Sequence, residues 1–108
     1  MPDSLPTVID TYFAASNRSD IAGLVHCFAP NATVHDEGRT HHGHDAIAAW
    51  QTEAQKKFEF SIEPLDALRN GNHVTVTTNV VGNFPGSPVR LEHIFVLTND
   101  KIESLAIR

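Results

Sequence analysis

The sequence predicts one small α+β domain in which a curved antiparallel sheet wraps around N-terminal helices and leaves an apolar pocket between them. Three observations predict it. The first third of the 108-residue chain places its apolar residues at helical spacing. From Phe58 onward the period changes to two. The connections between the later apolar runs are mostly short, so successive strands pair as an antiparallel meander. Helices gathered ahead of a sheet indicate α+β rather than alternating α/β architecture.

The elements follow in order. Leu5, Val8, Ile9, Tyr12 and Phe13 form the i, i+3, i+4, i+7, i+8 stripe of an amphipathic helix over Leu5 to Ala15, with Pro6 in its first turn. Ser19 or Asp20 then N-caps a second helix, Ile21 to Phe28, which Pro30 and Asn31 end. Ala32 to Asp36 reads as a short strand, Glu37-Gly38-Arg39 as a turn, and Thr40 to His42 as a brief extended piece. A third helix opens at His44 or Asp45 and runs to about Lys57, its apolar face made by Ile47, Trp50 and Ala54. Phe58, Phe60 and Ile62 begin the alternating region, where Pro64 marks a bulge or an edge. Asn70-Gly71 is a turn signal. Val74, Val76, Thr78 and Val80 alternate next, and Gly82 to Pro88 is a wide loop. Val89, Leu91, His93, Phe95 and Leu97 share one strand face, Asn99-Asp100 turns the chain, and Ile102 to Ile107 is the last strand. The expected sheet is four long antiparallel strands plus a short N-terminal strand region, wrapped around three helices as a cone-shaped α+β barrel. No repeat or linker divides residues 1–108, so a single domain is expected.

Composition narrows the function. Hydrophobic residues are 41% and charged residues 19%, which is a globular balance. The formal net charge is -5, and Lys56-Lys57 is the only adjacent pair of basic residues. Nucleic acid and an anionic membrane surface both require a basic patch, so neither is an expected partner. The single cysteine, Cys27, excludes an intrachain disulfide and reads as a small buried hydrophobe. No apolar run approaches the ~20 residues of a membrane span, and the N-terminus lacks a basic-then-apolar leader pattern. A cytoplasmic location is expected. Walker, dinucleotide-binding, nucleophile-elbow and CxxC motifs do not occur.

Several side chains carry chemistry. Asp36 ends an apolar strand and shares a face with Ala32 and Val34, where desolvation would raise its pKa toward that of a useful base; it is equally placed to be a turn residue bonded to the Gly38 amides. Tyr12 lies on the first helix's apolar stripe, as an oxyanion donor or a core tyrosine. His93 sits mid-strand on an apolar face, either as a ligand-facing group or as a satisfied core histidine. Trp50, Phe28, Phe84 and Phe95 are expected to wall the pocket. His35, His41, His42 and His44 crowd the region around Asp36, but their spacing matches no metal motif, and neither a metal nor an organic cofactor is expected.

The element order, together with Val8-Ile9-Asp10-Thr11-Tyr12-Phe13-Ala14-Ala15-Ser16-Asn17, Ser19-Asp20-Ile21, Phe28-Ala29-Pro30-Asn31-Ala32-Thr33-Val34-His35-Asp36 and Gly43-His44-Asp45-Ala46-Ile47, resembles the nuclear transport factor 2-like superfamily. That superfamily includes ketosteroid isomerase, the SnoaL-like polyketide cyclases and limonene epoxide hydrolase. The resemblance spans essentially the whole chain. It implies a hydrogen-bonding role for Tyr12 toward an oxyanion and a general-base role for Asp36. The third polar position of the isomerases falls on Glu92 in an ungapped match and on His93 if one residue is gapped. His93 is preferred because it shares a face with Leu91, Phe95 and Leu97; neither residue is the aspartate of the isomerases.

The function expected from these residues is proton transfer on a small apolar carbonyl or hydroxyl compound, of isomerase, cyclase or dehydratase type, without a cofactor. Asp36 would be the base, and Tyr12 and His93 would stabilise or relay charge. The alternative is a non-catalytic ligand-binding or dimerisation module of the same fold. Apolar residues on the other sheet face, Val81, Ile94, Val96 and Ile107, lead to the expectation of a homodimer.

Overall fold

The computed structural model describes residues 5–108. Its elements are α1 (Thr7–Asn17), α2 (Ile21–His26), β1 (Phe28–Asp36), β2 (Arg39–His42), α3 (His44–Lys57), β3 (Phe60–Asn70), β4 (His73–Gly82), β5 (Val89–Thr98) and β6 (Lys101–Ile107).

Helix α1 starts two residues later than its apolar stripe suggests. Pro6 is its N-cap, and the Pro6 carbonyl accepts from the amides of Ile9 (2.9 Å) and Asp10 (3.1 Å), so Leu5 stays outside. The helix ends where Ser19 takes φ 58°. The Ser19 amide bonds the Ser16 carbonyl, and the Asp20 amide bonds the Ala15 carbonyl, which is the Schellman closure. Asp20 then N-caps α2, its Oδ1 accepting from the Gly23 amide at 3.0 Å. Helix α2 is shorter than expected and stops at His26, because Phe28 already belongs to β1.

Strand β1 is correspondingly longer than the expected Ala32 to Asp36. It contains Pro30, which lacks a ladder donor, and the register shifts between Phe28 and Thr33 to accommodate it. The six strands form one open, curved sheet in the order β2-β1-β6-β5-β4-β3. All neighbours are antiparallel except β1 and β6, which run parallel. The expected four-stranded antiparallel sheet is therefore extended by β1 and β2 into a six-stranded mixed sheet, within the expected α+β cone-like class. The register shifts between Pro64 and Asp66, and again between Val96 and Leu97. Such bulges increase local twist and bend a sheet.

One face of this sheet is closed by the helices. Ile9, Tyr12 and Phe13 of α1 and Ile47 of α3 pack on Val76, Phe95 and Leu105, all buried. Asn17 fixes α1 to β3 with two bonds to Ile62, donating to its carbonyl (2.9 Å) and accepting from its amide (2.8 Å). The other face carries Thr75, Thr77, Ile94, Val96 and the exposed Leu68 and Val81. Ile107 is not on that face, contrary to the expectation from its sequence position: it pairs with His93 and points to the concave side. No helix among the described residues is long and apolar enough to cross a membrane.

Candidate functional site

A cavity of about 540 Å³ opens on the concave face between α1, α3 and the sheet. Three features place its walls. The β1–β2 hairpin turns through Glu37 (φ 53°) and Gly38 (φ 73°), a left-handed pair matched to strand twist, and so holds Asp36 at the rim. Helix α3 is preceded by its N-cap Gly43, whose φ of 85° suits glycine and whose amide donates to the Ala32 carbonyl at 2.8 Å. This entry turns Trp50 and Gln51 toward the cavity. The loop after β4 is pinned by Asn83, which exchanges bonds with the Glu59 backbone at 3.0 Å in both directions. Phe84 thereby packs edge-on to Phe58, with ring centres 5.9 Å apart, at the mouth. A Cβ on Gly82 would run into the Glu59 carbonyl and Phe60, so glycine permits this close approach.

Asp36 is half-buried, and its Oδ2 accepts a hydrogen bond from the Trp50 indole Nε1 at 3.0 Å. Burial raises its pKa above the ordinary carboxylate value; the Trp50 bond pulls the other way, and neighbouring Glu37 adds to the rise. Tyr12 is fully buried at the inner end. Its hydroxyl is sealed and has no hydrogen-bond partner among the described residues. Burial first, then the Asp36 charge, pushes the phenol's pKa well upward, so it remains a proton donor. Phe13, Phe28 and Phe95 meet its ring edge-on at 5.3–5.9 Å.

His93 is 1% exposed and lines the same cavity. Burial pushes its pKa down to about 4, so the imidazole is neutral at pH 7. Its Nδ1 lies 3.3 Å from the Thr78 hydroxyl. Glu92 faces the opposite side and pairs with Arg108 at 3.3 Å. Strand alternation thus decides between the two residues by position.

The cavity brings together Asp36, Tyr12, His93, Trp50 and Phe84. It does not include Phe28 or Phe95: both are buried in the core behind Tyr12 and back its ring, because their side chains fill the closed end of the cone. Phe58 and Phe60 line the wall in their place, along with Gln51. Gln51 is 2% exposed. Gln55 Nε2 donates to the Ser16 carbonyl (3.2 Å), which fixes its amide orientation, and also to Gln51 Oε1 (2.9 Å). Among the described residues no acceptor meets the Gln51 amide NH₂. The signal was in the sequence: Ile47, Trp50, Gln51 and Ala54 make one i, i+3, i+4, i+7 stripe, and a polar residue on an apolar stripe marks a lined cavity or a buried bond.

The histidine cluster disperses. His35 and His42 bond the hydroxyls of Thr40 and Thr33 at 3.1 Å, His44 bonds the Phe28 carbonyl at 2.8 Å, and His41 lies beside the Trp50 ring. Among the described residues no group of three His, Cys, Asp or Glu side chains is placed to hold a metal ion. A larger depression of about 880 Å³, walled by Pro6, Arg69, Leu97 and Asp100, contains none of the candidate residues.

The family described as SnoaL-like domain matches residues 9–104. The chain belongs to the SnoaL-like domain family. Among solved structures it is similar to a candidate polyketide cyclase from Sinorhizobium meliloti, at 38% identity and TM-score 0.94, covering 96% of this chain and 95% of that one. It is also similar to a ketosteroid isomerase-like fold protein from Catenulispora acidiphila in complex with trimethylamine (21% identity, TM-score 0.88, 97% and 86% covered). A candidate polyketide cyclase from Xanthomonas campestris follows (16% identity, TM-score 0.83, 93% and 85% covered). The latter two likenesses concern the fold alone. No curated protein matches the sequence.

Proposed function

We propose that this SnoaL-like domain binds a small, largely apolar carbonyl or hydroxyl compound and catalyses proton transfer on it, with Asp36 as general base. The observation that carries the reading is the convergence of Asp36, Tyr12 and His93 on one aromatic-walled cavity. In the proposed step the C–H bond next to a substrate carbonyl breaks. Its proton passes to an Asp36 carboxylate oxygen, and the electron pair moves through the new C=C bond onto the carbonyl oxygen. The Gln51 amide supplies a donor for that oxygen, and the Tyr12 hydroxyl, sealed and unpartnered without a ligand, supplies a second once ligand entry parts the side chains over it. Partial burial gives Asp36 the raised basicity that the step requires. The 38%-identical candidate polyketide cyclase supports cyclisation as one member of this reaction class.

The second reading is a non-catalytic binding module. It is favoured by the Trp50 bond, which occupies one oxygen of Asp36. Deuterium incorporation next to the carbonyl of 2-tetralone in D₂O separates the two. Catalysis predicts exchange above the buffer rate that falls at least ~10²-fold in Asp36→Asn. Wild-type exchange at the buffer rate, with 2-tetralone quenching the single tryptophan Trp50, would favour the binding module.

A further inference from the structure

Thr78 and His93 are diagonal neighbours on one face of β4 and β5, fully or almost fully buried, and their side chains are in hydrogen-bond contact. The Thr78 hydroxyl has a single hydrogen. It is placed 3.1 Å from the Leu91 carbonyl oxygen, which can only accept. The same hydroxyl oxygen lies 3.3 Å from His93 Nδ1. If the hydroxyl donates to Leu91, the contact with His93 is a bond only when Nδ1 carries a hydrogen and donates to Thr78. Both interactions are then made. If instead Nδ1 is bare, the hydroxyl must turn to it, and the Leu91 contact is lost. The arrangement with two bonds is favoured over the one with a single bond.

The imidazole is neutral at pH 7, so it holds one hydrogen in total. With that hydrogen on Nδ1, Nε2 is a lone pair. Among the described residues no hydrogen bond reaches Nε2, and it is not sealed as the unpartnered Tyr12 Oη and Ser16 Oγ are. His93 lines the cavity, so Nε2 opens onto it.

We propose that Thr78 holds His93 as the Nδ1–H tautomer, so that His93 Nε2 accepts a hydrogen bond from the ligand and the cavity selects compounds carrying a hydroxyl or enol O–H. This rests on the reading of the cavity as a ligand site. It changes the role of His93: an Nε2 lone pair cannot stabilise an oxyanion, and the donors for a developing negative oxygen are Tyr12 and Gln51. Thr78 is a positioning residue that acts through the imidazole. A ligand satisfying both ends presents a carbonyl to the donors and a hydroxyl to His93, as a hydroxy ketone or the enol of a diketone does.

The tautomer is read without any ligand, from long-range ¹H–¹⁵N correlation spectra of ¹⁵N-labelled protein. The proposal expects a protonated Nδ1 and an unprotonated Nε2; a protonated Nε2 overturns it. Thr78→Ser keeps the hydroxyl and should keep the tautomer, while Thr78→Val removes it and should move population toward Nε2–H. An unchanged tautomer in Thr78→Val overturns the positioning role. Ligand selection is read with 4-hydroxy-1-tetralone and 1-tetralone, which share the carbonyl and differ by the hydroxyl, by quenching of Trp50. The hydroxy ketone should bind roughly fivefold tighter to wild type, the factor of one net hydrogen bond, and Thr78→Val should lose that preference. Equal binding, or tighter binding of 1-tetralone to wild type, overturns the selection. Binding of neither compound would count against the ligand-site reading, and the tautomer spectrum would still decide the Thr78–His93 arrangement by itself.

Discussion

Replacing Tyr12 by phenylalanine should make the unliganded protein more stable. The ring is held by edge-on contacts with Phe13, Phe28 and Phe95, and all three remain available to phenylalanine. What the substitution removes is one hydroxyl, sealed from solvent and unpartnered by any described residue. Burying a hydroxyl without a bond costs about 1–3 kcal/mol, and deleting it leaves a space no larger than one oxygen. A gain of about 1 kcal/mol is therefore expected. For a domain near 100 residues this corresponds to a rise in melting temperature of roughly 4–8 °C. Urea titration is the primary assay: the midpoint should rise with no change in slope, since the native surface is unaltered. In parallel, 2-tetralone should bind Tyr12→Phe at least several-fold more weakly, because its oxygen loses a donor. A midpoint lower than wild type would refute the reasoning, since it would mean the hydroxyl is already satisfied and structural. A stabilised variant that binds 2-tetralone as well as wild type would remove Tyr12 from the site while leaving the energetic account intact.

Asp36→Asn should keep the fold and be at least as stable as wild type at pH 7. The carboxyl's folded pKa is raised, so the native state holds the proton more tightly than the unfolded chain. Its stabilising contribution is present below the unfolded pKa and is lost as pH rises through the folded one. Melting curves at pH 4 and pH 7 should show the Asn variant gaining on wild type at the higher pH; a clearly destabilised variant at pH 7 would make Asp36 a structural turn residue. Glu92→Ala should leave ligand binding unchanged and shift stability by no more than ~0.5–1 kcal/mol, as its partner Arg108 is exposed, whereas His93→Ala should weaken 4-hydroxy-1-tetralone binding; the reverse order, measured by Trp50 quenching, would contradict the placement of these residues. The outer sheet face, with Leu68, Val81, Ile94 and Val96 uncovered by any helix, should pair with a second copy of the chain. Light scattering that shows a monomer at micromolar concentration would exclude this assembly.

The sequence displayed the helices and the inner strand faces clearly because their periods are uninterrupted. Ile9, Tyr12 and Phe13 fall on the buried stripe of α1, and Val74, Val76 and Phe95 on the concave sheet face. What was not legible depended on contacts distant in sequence. β1 reaches back to Phe28 because β6 lies alongside it, with the Ile102 amide donating to the Cys27 carbonyl at 2.8 Å. Residues near Pro30 read locally as a helix stop, and only the parallel partner makes them a strand. Phe28 and Phe95 looked like pocket walls by residue type, yet the pocket is bounded by Tyr12, which stands in front of them. Thr78 read as one more β-branched residue in an alternating strand. Its importance comes from Leu91 and His93 across the ladder, a relation that register alone reveals.

The charge of the cavity constrains the chemistry further. Asp36 and Glu37 line it, no lysine or arginine does, and His93 is neutral. An anionic group inside this cavity would meet carboxylates, while the nearest basic side chains, Arg39 and Lys57, line the adjoining depression at its rim, so free carboxylates and phosphate monoesters are poorly matched to the cavity itself. The same lining limits how negative charge on a reacting oxygen is held. Without a cationic partner, it depends on hydrogen bonds from Tyr12 and Gln51 and cannot be stored for long in an apolar surround. A reaction that quickly neutralises the enolate suits such a site: return of the proton to another carbon, attack on a second carbonyl, or loss of a hydroxyl. In the first case Asp36 gives the proton back, as isomerisation requires. In the last, a leaving hydroxyl needs a proton, and the neutral Nε2 of His93 can orient that hydroxyl but has no proton to give. Asp36, made a neutral carboxylic acid by the abstraction step, would then be the remaining acid in the cavity. In the proposed reaction one carboxyl would serve as base and then as acid, and partial burial at the rim suits both roles: it raises the pKa of Asp36 while leaving the group accessible.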